Sequence, residues 1–170
     1  MTHRSFRSSQ LALSVALAAT VLLATAGSAR ALPLISEVFY DAVGSDDGKS
    51  FVEIYGSPGT VLDGLRLEVV NGADGAVVAT LILSDVIGPS SLFVVADRYA
   101  DGTTDIAGYD QLLNFDIQNG PDSVVLRGPN GVIDAVGFGE FGPGEVFAGE
   151  GRPAPDVPAL PRLAGKASLI

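Results

Sequence analysis

Beyond residue 3 the chain has no histidine, and it has no cysteine or tryptophan anywhere. These absences remove whole classes of chemistry. With His3 as the sole imidazole, there is no Ser-His-Asp or Cys-His nucleophilic machinery, no histidine general base, and scarcely a ligand set for zinc, copper or iron. No disulfide can form and no thiol can carry a lipid. Positive charge is scarce as well: ten basic residues face 20 acidic ones, and Arg4, Arg7 and Arg30 precede Leu32, whereas every acid follows it. Residues 32–170 therefore carry seven bases and 20 acids, a net charge of −13. Such a body repels phosphate backbones and anionic lipid surfaces, so neither nucleic acid nor a membrane surface is an expected partner. What remains is carboxylate chemistry, lysine chemistry and hard-cation binding through oxygen.

The one long apolar run stands at the start. His3, Arg4 and Arg7 precede the apolar stretch from Leu11 to Ala26, and Ala29-Arg30-Ala31 closes it with small residues. This is the build of a secretory signal peptide over residues 1–31, with a mature chain from Leu32 that is secreted or periplasmic. An uncleaved anchor is the alternative, against which Ser14, Thr20 and the small closing residues argue.

From Pro33 to Phe141 the pattern is of short strands: LPLISEVFY, SFVEIYG, LRLEVVNG, AVVATLIL, SLFVVAD, SVVLRGP and VIDAVGFG. Each is rich in branched or aromatic residues and bracketed by Gly, Pro, Asn or Asp, the signature of an all-β, antiparallel sandwich. Tyr109 to Phe115 reads as a turn of helix. Hairpins are expected at Pro129-Asn130-Gly131 and across "VVNGADGAVV", where Asn and Gly supply positive φ. The core is expected from Val38, Val52, Ile54, Leu67, Val69, Leu81, Leu83, Phe93, Val95, Val124, Leu126, Ile133 and Val136. The domain is drawn over 32–141, and the Gly- and Pro-rich residues 142–170 read as a semi-rigid tail.

"LISEVFYD", "SFVEIYG", "LDGLRLE", "SLFVVAD", "QNGPDSVVLRGPNGVIDAVGFG" and "GEGRPAPDVP", in that order, resemble the lamin-tail domain over about residues 33–160. The resemblance implies an immunoglobulin-like β-sandwich without catalytic activity, an interaction or accessory module for an extracellular or envelope protein or polysaccharide. Gly56 and Leu65 depart from the family's usual Asn and Trp. Family members continue past the segment matched by Gly165, Ser168 and Leu169 into a closing strand, so a truncated tail is expected.

Two groups of acids and one of aromatics are candidate sites. Glu37 and Glu53 face each other if their strands form a simple hairpin, an arrangement that like charges disfavour. A shifted register, a cation or arginine between them, or one protonated carboxyl for acid catalysis would each resolve it. The resemblance implies structural positions, as does alternation along a half-buried strand. Asp46 and Asp47 in "GSDDGK" and Asp97, Asp101 and Asp105 in "ADRYADGTTD" place carboxylates beside glycine, as calcium loops do, yet neither segment fits the EF-hand pattern. Solvated turn residues are the bland alternative; no cofactor is expected beyond weak calcium. Tyr99, Tyr109 and Phe115, in the long segment from Arg98 to Asp122, either offer a partner surface or plug one end of the sandwich.

Overall fold

The computed structural model describes residues 31–154. The segment read as a signal peptide, apart from Ala31, and the tail beyond Ala154 lie outside the described residues. Among those described, regular structure is all strand: β1 (Leu34–Phe39), β2 (Phe51–Tyr55), β3 (Arg66–Asn71), β4 (Val77–Ile82), β5 (Leu92–Asp97), β6 (Gln111–Leu113), β7 (Asp122–Gly128) and β8 (Gly131–Phe138). They form two four-stranded sheets, ordered β1-β2-β5-β6 and β4-β3-β7-β8. Alternation along each strand turns one apolar set inward, so that Val52, Ile54, Phe93 and Val95 of the first sheet meet Leu67, Val69, Val124 and Leu126 of the second in one buried core. The protein is an all-β sandwich.

All seven expected strands form, and every expected core residue joins the core, with Val38, Ile133 and Val136 partly buried at its margin. The expected helical turn does not form: β6 occupies its centre and pairs parallel to β5, Val95 opposite Gln111. The first sheet is therefore mixed rather than wholly antiparallel. Residues 98–110 make the crossover of about a dozen residues that parallel neighbours require. Loops also feed the core, for Leu62, Ile87 and Ile117 are at most 1 % exposed.

Both hairpins close as the turn chemistry demands. Gly131, at φ 126°, reverses the chain from β7 to β8. Asn71 and Asp74 accept backbone N–H bonds two residues ahead, and Gly75 takes φ 76° between β3 and β4.

The segment after Phe141, expected as a tail, belongs to the fold as far as Ala154. Val146 N–H donates to Gly72 O, Glu150 N–H to Ala135 O and Ala154 N–H to Gly137 O. Ala148 thereby covers Val70, Val125 and Ala135, a second buried cluster on the outer face of β3, β7 and β8. Gly137 and Gly149 allow this approach, since a Cβ on either would collide with the Phe147 ring.

Candidate functional site

The two acidic loops meet at Gly48. Its N–H donates to Asp97 Oδ2 at 2.7 Å, while its carbonyl accepts from Asp105 N–H and Thr104 Oγ1, each at 2.9 Å. Asp97 is 1 % exposed, and its Oδ1 accepts from Phe115 N–H at 3.0 Å. One buried carboxylate thus fixes the loops that leave β1, β5 and β6. The ring of Tyr99 lies over Gly48, where a Cβ would come within 2.5 Å of Cε2, and the phenol donates to Asp105 Oδ2 at 2.9 Å. That hydrogen bond, with desolvation and the charges of Asp105, Asp47 and Asp101, raises the Tyr99 pKa above the ordinary phenol value.

The structure thus gathers Tyr99, Asp47, Asp101 and Asp105 from two separate loops. Asp46 and Asp101 are occupied locally: Asp46 Oδ1 accepts from Ala42 N–H, and Asp101 Oδ1 accepts from Thr103 Oγ1 and N–H. The Thr103 hydroxyl, followed by its N–H, holds the Asp101 carboxyl below its usual range. Among the described residues no group of three His, Cys, Asp or Glu side chains is arranged to hold a metal ion. The aromatic set divides: Tyr109 is 44 % exposed, whereas Phe115 is buried in the core and is not a surface anchor. Phe115 alternates with Asn114 and Asp116, which turn outward.

Beside this loop end an open groove of about 950 Å³ runs between Ser45–Asp47, the edge strand β4, and Asn114–Gln118. Asp46, Asp47 and Asp116 give it a negative rim, while Val78, Leu81 and Phe115 contribute apolar surface. A strand edge invites pairing with another chain, but β4 is guarded at both ends. Its register against β3 slips at Val78, and Gln111 bonds the outer edge, donating to Ile82 O at 2.8 Å and accepting from Ser84 N–H at 3.2 Å. Alternation leaves Thr80 as the outward-facing backbone between them. The groove is suited to side chains or sugars more than to strand addition.

Glu37 does pair with Glu53 across β1 and β2, in the simple hairpin register. A bulge at Ser36 relieves the juxtaposition, for Ser36 Oγ donates to Glu53 Oε1 at 3.0 Å. Both glutamates are partly exposed on an open sheet face. Neither occupies an enclosed pocket of the kind that holds one carboxyl protonated for catalysis.

Among the described residues three carboxylates are buried, and sequence reasoning offered the first only as a calcium candidate and passed over the other two. Asp97 is the first. Glu68, 8 % exposed, takes Arg66 Nε on Oε1 at 2.7 Å and Arg127 Nε on Oε2. Asp122, 1 % exposed, accepts Gly72 N–H on Oδ1 at 3.0 Å, while its Oδ2 is buried without a hydrogen-bond partner. Desolvation, with the charge of Asp116, raises the Asp122 pKa despite that N–H bond. Their sequence signals are modest: Asp97 and Asp122 sit at strand ends beside glycine-bearing loops, and Glu68 stands two residues from Arg66 on one strand face. No family model matches this chain, and no curated protein or solved structure matches it.

Proposed function

We propose that the protein is an exported, non-enzymatic interaction module, a lamin-tail-like domain of immunoglobulin-like type, that binds a neutral or basic protein or polysaccharide at the cell exterior. The observation that carries this reading is the groove beside the loop end, negatively rimmed by Asp46, Asp47 and Asp116 and built on loops pinned by Asp97. A chain with 20 acids steers cationic groups toward such a groove and repels anionic polymers. Absence of histidine and cysteine after His3 removes the imidazole base and the thiol nucleophile, in keeping with a binding role.

The test is capture of envelope protein and polysaccharide from the producing organism on immobilised residues 32–170. A neutral or basic partner that elutes with rising salt is expected. Asp47→Asn with Asp116→Asn should weaken capture about fivefold or more, and Tyr109→Ala by a similar factor if it is an anchor. Undiminished capture by the combined variant, or tight, salt-insensitive binding to DNA, refutes the proposal.

A further inference from the structure

The outer face of the second sheet carries a feature independent of the loop end. Register places Ile82 of β4 opposite Arg66 of β3, Arg66 opposite Arg127 of β7, and Arg127 opposite Val132 of β8. One row, apolar–Arg–Arg–apolar, therefore crosses all four strands. Its outward direction is set by alternation, since Leu67, Leu81 and Leu126 beside it are core residues. Ile82 is 61 % and Val132 49 % exposed, and the two arginine side chains are 38 % and 33 % exposed.

Two arginines directly opposite each other repel, and Glu68 in the next row offsets this. It engages both from the side, through Nε alone. Neither guanidinium donates any other hydrogen bond among the described residues. The cluster keeps a net positive charge on an acidic protein. Both forks are held by one nearly buried carboxylate, and their Nη ends are available to a planar anion, the geometry in which arginine binds carboxylates best.

We propose that this row binds an extended polypeptide segment of the pattern apolar–x–acid–x–apolar, lying across the strands with its carboxylate between Arg66 and Arg127. Spacing supports the pattern. Strands lie about 4.8 Å apart, so the midpoint of the arginine pair is about 7 Å from Ile82 on one side and from Val132 on the other. In an extended chain, side chains on one face recur every second residue, at about 6.8 Å. An acid with aliphatic residues two positions before and after it thus matches the row. The row carries no aromatic ring on which a sugar could stack, which favours polypeptide over a uronic-acid polymer.

The experiment is an NMR titration of residues 32–170 at physiological salt, with acetyl-Val-Ser-Glu-Ser-Val-amide as probe. Shifts at the Arg66 and Arg127 Nε–H signals and at the Ile82 and Val132 methyls are expected. Glutamine in place of the probe's glutamate should weaken binding about tenfold or more, as should Arg66→Gln or Arg127→Gln in the protein. The rearranged peptide acetyl-Ser-Val-Glu-Val-Ser-amide should bind more weakly than the first. Equal binding by the glutamate and glutamine peptides, equal binding by the rearranged peptide, shifts confined to the Gly48 loops, or no shift up to the solubility of the probe would each overturn the proposal. Tighter binding of tri-galacturonate overturns the assignment to polypeptide. The peptide comparisons use the unmodified protein, so they decide the matter even if an arginine variant fails to fold.

Discussion

Glu68→Gln removes one charge and almost no volume. In the native protein the Glu68 carboxylate accepts two charge-assisted hydrogen bonds, from Arg66 and Arg127. Glutamine can accept one and must turn its amide N–H toward the other guanidinium, setting donor against donor beside an uncompensated pair of opposed arginines. A hydrogen bond to a charged group contributes about 1.5–3 kcal/mol, but the arginines are about one-third exposed and can swing into water, which screens part of the loss. A destabilisation of about 2 kcal/mol at neutral pH is expected, or about 8 °C in Tm for a domain of this size. The pH dependence sharpens the test. Burial raises the Glu68 pKa, yet hydrogen bonds and charges from both arginines outweigh it, and the net shift is downward. A folded pKa below the unfolded one gives stability that is present above the ordinary carboxylate value and lost as pH falls through the folded value. The gap between wild type and Glu68→Gln should therefore be full at pH 7 and close in strong acid. Urea titrations at about pH 7 and about pH 2.5 measure it. A gap under about 0.5 kcal/mol at neutral pH, or one equally wide in acid, would refute the assignment.

Asp122 carries the opposite sign. Its raised folded pKa means that its ionisation opposes folding as pH rises from the unfolded carboxylate value through the folded one, so Asp122→Asn should gain stability relative to wild type between about pH 4 and pH 7. Parallel chemical denaturation across that range checks the direction. Gly48→Ala forces an L side chain to φ +70° and into the Tyr99 ring, and a loss of about 2 kcal/mol or more is expected by thermal melting, with Tyr99→Ala relieving part of it in the double variant. Gln111→Ala uncovers the outer edge of β4 at Ile82 and Ser84; concentration-dependent self-association in light scattering is expected, where wild type stays unchanged.

Much of the fold is legible in the residues because both of its determinants are local. Period-two alternation marks strands such as "FVEIY" and "LFVVAD", and Asn-Gly or Asp-Gly pairs mark the hairpins. β6 escapes notice since three residues are too few to show a period, and "QLL" is as good a helix former as a strand. The outer face of the second sheet is hidden for a different reason. Val70, Val125 and Ala135 read as alternation lapsing, until residues 142–154 are seen to cover them. Of the candidate sites, the meeting of Asp47, Tyr99, Asp101 and Asp105 depends on contacts between residues some 50 positions apart, which no local pattern encodes. The burial of Phe115 likewise follows from its N–H bond to Asp97, a tertiary constraint.

Asp97 and Asp122 perform the same task in the two sheets, each accepting the N–H of a loop glycine, Gly48 or Gly72, roughly 50 residues earlier in the chain. Glycine is needed for distinct reasons: Gly48 takes a positive φ beneath Tyr99, while a Cβ at Gly72 would overlap Pro121 O at 1.6 Å. Asp97 is completed by a second bond, to Phe115 N–H, whereas Asp122 leaves Oδ2 unpaired. The consequence differs with the loops they hold. At Asp97 the backbone around Gly48 and Phe115 is tied to one carboxylate beside the groove, so a ligand bound there would not have to order these loops. At Asp122 the incomplete clamp governs Gly72, whose carbonyl receives Val146 N–H from the segment covering the outer face. The carboxylate beside the groove is thus fully engaged, while the one beneath the covering segment keeps an unpaired oxygen.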